Sequence, residues 1–403
     1  MRPQTITPDF LPQIHHGYPV MPVFHMRGGT STGVVLWHAH LPQSMPLREE
    51  LIRHLMGVPL EGELRGNRQI TGLGRSVATS NKVFIVGPHR GDDADFDSTL
   101  AQLASDHAQI DWRVNCVNMS AALPLYLLET GLIAAGSQET RLRIWNTNTR
   151  KLTQMRMPTP YALASIPGVQ GQFPEVELSL QDPVGAKTGL LFPTGKRQQI
   201  LQGVAISCVD VAVPMIIIRA SDLGFTAREP LASLQADKVL LERLRSIWVE
   251  AGLLMNLKSA SGAAMTAQEL ALSETMPKVC LVGPGDEDAD LHVRYFTPQT
   301  PHASMAVTGG CCLAVAALLD GTVAHEMVDQ AKRLGVQTDE TVVRMANPAG
   351  VLQARVCGHE AGGVVHIPWV SYQRTAQVLL QGLTPVYQAS AGLRQFFEGF
   401  GSC

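Results

Sequence analysis

The sequence predicts an α+β protein made of two similar halves. An apolar, strand-like run occurs twice, as "NKVFIVGP" from Asn81 to Pro88 and "PKVCLVGP" from Pro277 to Pro284. The same kinds of segment follow each copy in the same order. Short strands dominate, with one strongly apolar helix per half, which is the pattern of a sheet burying a helix.

The elements follow in chain order. "PVFHMRGGTSTGVVLWHAHLP" (Pro22 to Pro42) reads as strand, glycine turn, strand, with a helix near Leu47–Met56. Lys82 then opens the first repeated strand, and Gly-Pro stops it. An acidic turn, "GDDADFD" (Gly91 to Asp97), precedes the polar approach and apolar helix of "NCVNMSAALPLYLLETG" (Asn115 to Gly131). A further strand is expected within Arg143–Met157. The second half repeats this order. "ISCVDVAVPMIIIRASDLG" (Ile206 to Gly224) gives the opening strands and Leu234–Ala251 a helix. The repeated strand at Pro277 follows, then "GDEDAD" (Gly285 to Asp290). The apolar helix lies in "HASMAVTGGCCLAVAALLDG" (His302 to Gly321), and a strand in Arg344–Val356 closes the series. "DPVGAKTGLLFPTGKRQQ" (Asp182 to Gln199) reads as the linker. The expected domains are 1–195 and 200–375, with a tail, 376–403, packing back on the first.

Composition removes several classes of function. Of 403 residues, 45% are hydrophobic and 17% charged, enough apolar surface for full cores. A net charge of −3 without a basic stripe argues against nucleic acid. No apolar run is long enough to span a bilayer, and the N-terminus lacks a signal core, so a cytoplasmic location is expected. Seven cysteines (116, 208, 280, 311, 312, 357 and 403) form no C-x-x-C pair, so neither a disulfide framework nor a zinc site is expected. Asp93, Asp95 and Asp97 lack the glycine and glutamate of a calcium loop. No phosphate-loop Gly-Lys-Ser/Thr follows Gly72 or Gly74. His38 and His40 have no third ligand in view, and Cys311-Cys312 reads as helix core.

Cys116 carries the chemistry that remains. It stands between Asn115 and the start of a helix that Ser120 could cap, with Pro124 tolerated in the first turn and Gly131 as the stop. A helix N-terminus stabilises a thiolate. A buried structural cysteine is the competing reading. The homologous spot in the second half is Ala306, so a pair of opposed thiols is unavailable and the second acid–base group must lie elsewhere. Lys82 is the candidate, because a desolvated lysine can serve as a base; an exposed strand-end lysine is the competing reading, and the local sequence favours it slightly. Its mate Lys278 should be merely structural. The second helix N-terminus, with Thr308, Gly309 and Gly310, offers free N–H groups to carboxylates.

"MRGGTSTG" (Met26 to Gly33), "SNKVFIV" (Ser80 to Val86), "NCVN" (Asn115 to Asn118), "FPTGK" (Phe192 to Lys196), "ANPAG" (Ala346 to Gly350) and "QRTAQVLLQG" (Gln373 to Gly382) together resemble the PrpF family. That family includes 2-methylaconitate cis-trans isomerase and 4-oxalomesaconate tautomerase. The resemblance implies a diaminopimelate-epimerase-like fold, with each half a mostly antiparallel, barrel-like sheet around a central helix. It implies Lys82 and Cys116 as the catalytic pair, working without cofactor or metal on a small unsaturated di- or tricarboxylic acid. The expected reaction is 2-methylaconitate isomerase-like; the alternatives are oxalomesaconate tautomerisation and a non-catalytic carboxylate-binding protein. An amino-acid racemase is a third reading, which Ala306 weakens. Arg27, Ser31, Thr79, Ser80, Asn115, Asn118, Arg294, His302, Thr308, Gly309 and Gly310 are the expected substrate contacts. A homodimer stays open. The sequence departs from the family pattern at Thr32, Val117, Asn347, Ala349 and Gly74-Arg75, where the carboxylate contacts could differ.

Overall fold

The computed structural model describes residues 10–112, 114–259, 262–273 and 275–400; Cys403 lies outside them. In chain order the elements are β1 (Gln13–His15), β2 (Tyr18–Gly28), β3 (Ser31–Trp37), α1 (Met45–Met56), β4 (Lys82–Pro88), β5 (Phe96–Leu103), β6 (Ile110–Asp111), α2 (Val117–Ser120), α3 (Ala122–Glu129), β7 (Glu139–Asn146), β8 (Lys151–Pro158), β9 (Leu163–Ala164) and β10 (Phe173–Gln181). There follow β11 (Gln199–Leu201), β12 (Val204–Val211), β13 (Val213–Arg219), α4 (Leu231–Ala236), α5 (Lys238–Leu254), α6 (Ala267–Leu272), β14 (Lys278–Pro284), β15 (Leu291–Phe296), α7 (Val307–Ala317), β16 (Asp339–Asn347), β17 (Gly350–Ala361), β18 (Val364–Pro385) and α8 (Ala391–Glu398).

The chain forms two compact units. Unit 1 holds residues up to 165, 171–178 and those from 374 on; unit 2 holds 166–170 and 179–373. The fold is mixed α+β. In unit 1, β2 pairs antiparallel with β3, β3 parallel with β4, β4 antiparallel with β5, β5 parallel with β7, and β7 antiparallel with β8. In unit 2, β12–β13, β13–β14, β14–β15, β15–β16 and β16–β17 repeat that series of orientations, pair for pair. The repeat read from two short strings therefore extends to whole sheets. Each sheet is less purely antiparallel than expected, because a helix crossover joins β3 to β4 and β13 to β14, and crossovers of that kind connect parallel strands.

Each sheet buries a helix. The α2–α3 segment sits among Phe24 and Met26 of β2, Phe84 and Val86 of β4, Leu100 of β5 and Met155 and Met157 of β8. Apolar on all sides, α3 buries every residue from Ala122 to Leu127. In unit 2, α7 is buried in the same way and packs against β12, β13, β16 and β17. The amphipathic helices lie on the other sheet faces. Leu51, Ile52, Leu55 and Met56 of α1 pack with Val34, Val83 and Ile85, and Leu244, Ile247 and Trp248 of α5 pack with Ile216 and Leu281. Gly57 stops α1 in the left-handed conformation (φ 67°).

Several boundaries differ from those expected. The helix at Leu234–Ala251 is two helices, because Asp237 leaves helical geometry and its carboxylate accepts the Leu240 N–H (2.9 Å) to start α5. The segment expected as linker belongs to unit 2. Asp210 Oδ2 holds it there by accepting from the Lys187 N–H (2.9 Å), the Thr188 N–H (2.7 Å) and Thr188 Oγ1 (2.9 Å). At the other end, Ala376–Pro385 of β18 pairs with β2, and α8 packs on α1 and β2.

Candidate active site

Lys82 faces inward. Side chains alternate along a strand, and Phe84 and Val86 point at α3, so Lys82 does too. It is 6% exposed. Burial lowers its pKa below the ordinary lysine value, and the Cys116 thiol is the opposing, raising influence. Across the β4–β5 ladder Lys82 stands opposite Gln102, whose Oε1 accepts from Nζ.

Cys116 is itself the N-cap of α2. The Met119 N–H donates to Sγ (3.5 Å), the Cys116 N–H donates to Asn115 Oδ1 (2.7 Å), and the thiol donates to Ser31 Oγ (3.6 Å). The cap expected at Ser120 is therefore displaced to Cys116. Ser120 lies one turn into the helix, and its hydroxyl bonds back to the Cys116 carbonyl (3.1 Å).

The glycine turn brings Ser31 to the thiol. A Cβ on Gly28 would lie 2.6 Å from the Met119 carbonyl oxygen, and one on Gly29 (φ 54°) 2.6 Å from Asn118 Oδ1. Only glycines let β2–β3 approach α2 this closely. Gly33 does the same for the lysine, since its absent Cβ would meet the Lys82 carbonyl oxygen at 2.4 Å. Asn118 ties the parts together, accepting from Arg374 Nε (2.7 Å) and donating to Thr30 Oγ1 (3.3 Å).

Unit 1 thus gathers Lys82, Cys116, Ser31, Asn115 and Asn118. Thr79 and Ser80 form the short turn that leads into β4. Arg27 lies beside the glycine turn. Its Nη1 donates to the carbonyls of Gly29 (2.9 Å) and Thr375 (3.2 Å), and its guanidinium lies 4.5 Å from the Phe173 ring centre, so it braces the glycine turn. Sequence reasoning missed Gln102, Thr30 and Arg374. A cavity of about 1060 Å³ reaches Asn81 and Gln102 and is walled by Glu49, Arg53, Asp111 and Trp112; neither Lys82 nor Cys116 lines it.

In unit 2, Ala306 holds the N-cap position of α7, as Cys116 does for α2. His302 lies 5.9 Å from the Tyr295 ring, and a Cβ on Gly309 would meet that ring at 2.5 Å, so His302 and the first turn of α7 (Thr308–Gly310) are neighbours. Arg294 is not among them. It is adjacent to Tyr295 on β15 and so projects from the opposite face, where Nε donates to the Glu229 carbonyl (2.6 Å). Lys278 opens β14 as Lys82 opens β4, and burial brings its pKa down to about 8. No group of three or more His, Cys, Asp or Glu side chains that could hold a metal occurs among the described residues.

A model of the PrpF protein family matches residues 20–387. The chain belongs to the PrpF family. A 4-oxalomesaconate tautomerase of Pseudomonas putida is 33% identical over 350 residues, covering 84% of this chain and 92% of that protein. The crystal structure of a methylitaconate-delta-isomerase superposes with a TM-score of 0.79 at 28% identity, covering 92% of this chain and 98% of that one. A hydroxyproline epimerase (TM-score 0.50, 14% identity, 93% of this chain and 94% of that one) has the same fold. The fold is thus the epimerase-like one that the PrpF resemblance implied. The PrpF relatives are named isomerases, and their named substrates are small unsaturated carboxylic acids. No helix among the described residues is long and apolar enough to cross a membrane.

Proposed function

We propose that this protein is a cofactor-independent isomerase that moves a proton along an unsaturated di- or tricarboxylic acid, with Lys82 and Cys116 as its acid–base pair. The observation that carries the reading is the pairing, in one unit, of a buried amine, Lys82, with a partly exposed thiol at a helix N-cap, Cys116. One group takes a proton from a carbon made acidic by a neighbouring carboxylate and a conjugated double bond. The electron pair delocalises over three carbons, and a proton returns at the far end, so the double bond shifts by one position. Ser31, Asn115 and Asn118 supply polar groups around the thiol, placed to hold carboxylate or enolate oxygen. Arg294, bonded to the Glu229 carbonyl, is not given this role.

Identity to a named 4-oxalomesaconate tautomerase supports testing that acid first, with 2-methylaconitate beside it. Proton NMR in D₂O with each acid in turn tests the proposal. The expected result is enzyme-dependent exchange of an allylic hydrogen with double-bond migration, fastest with 4-oxalomesaconate. Protein that binds one of these acids but exchanges no carbon-bound hydrogen would instead be a carboxylate-binding protein.

A further inference from the structure

Gln102 is the side chain whose role nothing above has explained. It lies on β5, whose residues Phe96 and Leu100 point into the α3 core; two positions on, Gln102 shares that face. It is a polar group where the strand pattern asks for an apolar one. Its Oε1 accepts from Lys82 Nζ, and its Nε2 donates to two backbone carbonyls, Asn81 (3.0 Å) and Leu103 (3.0 Å). The two carbonyls settle which way the amide faces. Turned over, it would set its N–H groups against the lysine and its oxygen against two other oxygens.

We propose that Gln102 is a positioning residue for Lys82: a fixed, neutral acceptor that aims Nζ and keeps it free to lose and regain its proton. The proposal rests on the reading of Lys82 as an acid–base group. A carboxylate in the same place would also hold the amine, but it would favour the ammonium form and oppose proton loss. An apolar residue would leave the four-carbon stem to wander and would remove a partner of the charged form. The amide does neither, and it can accept from both –NH₃⁺ and –NH₂. From the other elements around Lys82, β3 presents Gly33 and α2 presents Cys116. Cys116 is a titratable group that interacts with Lys82.

The test follows the titration of Lys82 itself. In protein carrying ¹³C-lysine, the Lys82 Cε resonance is assigned by its loss in Lys82→Met, and its midpoint is read by NMR against pH. Gln102→Glu should raise the midpoint by about one to three pH units. Gln102→Met and Gln102→Asn, which remove or retract the acceptor, should lower it. Gln102→Met should also cut kcat by roughly 10- to 100-fold with KM little changed, as expected for lost aim in the transition state. Repeating the titrations in a Cys116→Ser background must leave these shifts in place. A purely structural role would lower stability without moving the midpoint. An unmoved Lys82 midpoint in whichever of the three Gln102 variants folds overturns the proposal. Failure of the acid–base reading shows differently, as full activity in Lys82→Met.

Discussion

Ser31 Oγ lies 3.6 Å from Cys116 Sγ, across 85 residues of chain. Two glycines and a capped helix place it there, and the thiol that results differs from the other five among the described residues. Cys116 is partly exposed, whereas Cys208, Cys280, Cys311, Cys312 and Cys357 are buried. Burial pushes the Cys208 thiol up to about 12 and raises those of Cys280, Cys312 and Cys357. Cys116 should therefore be alkylated by iodoacetamide ahead of these five near neutral pH, and a bound tricarboxylate should slow the reaction. Peptide mapping by mass spectrometry reads this directly; equal labelling of Cys116 and Cys357 would count against a reactive thiol.

Lys82→Met should lower kcat by about 10²–10⁴-fold, the usual contribution of a placed acid–base group. It should abolish exchange of substrate hydrogen with D₂O while the circular dichroism spectrum stays that of the parent. Normal exchange in this variant would remove Lys82 from the mechanism.

Lys278 calls for a different experiment. The sequence assigns it a merely structural role, and burial takes its pKa from 10.5 down to about 8. Below pH 8 the folded protein holds a charge in a poorly solvated place. Between about 8 and 10.5 the unfolded chain binds more protons than the folded one, so this group makes stability rise with pH. Lys278→Met should therefore stabilise the protein at pH 7, by on the order of 1 kcal/mol, and the gain should vanish by pH 10.5. Thermal unfolding at several pH values measures it, and a gain that grew with pH would contradict the assignment.

Gly33→Ala should be costly. Its Cβ would press on the Lys82 carbonyl oxygen at 2.4 Å and on Lys82 Cβ at 2.9 Å. Overpacking of this kind costs about 1–3 kcal/mol, and here it would also displace the lysine. Gly382→Ala has nothing within 4 Å and serves as the control. The two should differ in both melting temperature and turnover.

The repeat was legible because β4 and β14 carry nearly the same string and the elements around each follow in the same order; the parallel pairings were not, since they depend on how the crossovers run. Cys116 and Lys82 were picked out as candidates because each stands out locally, a cysteine among asparagines and a lysine before an apolar run. Gln102 was not, although the alternation of Phe96 and Leu100 already put a polar side chain on an apolar face. Its meaning lies in Lys82, on the neighbouring strand. The placement of Arg294 was hidden for a related reason. Nothing local says which face of β15 points at α7, and one step along a strand reverses the answer. Arg374 reaches Asn118 across 256 residues, a distance no local pattern records.

That last contact bears on how the molecule is made. Every residue proposed for the acid–base pair has been synthesised once Asn118 has left the ribosome. The strand that lies against β2, Ala376–Pro385, comes more than 250 residues later, as does Arg374. At about 5–20 residues per second the delay is on the order of 10 to 50 s. For that time β2 has an open edge along Val20–Gly28, and the nascent chain must keep it from pairing elsewhere. The first half to be translated is thus among the last to be finished, and unit 2 can complete its own sheet while unit 1 still waits for its final strand.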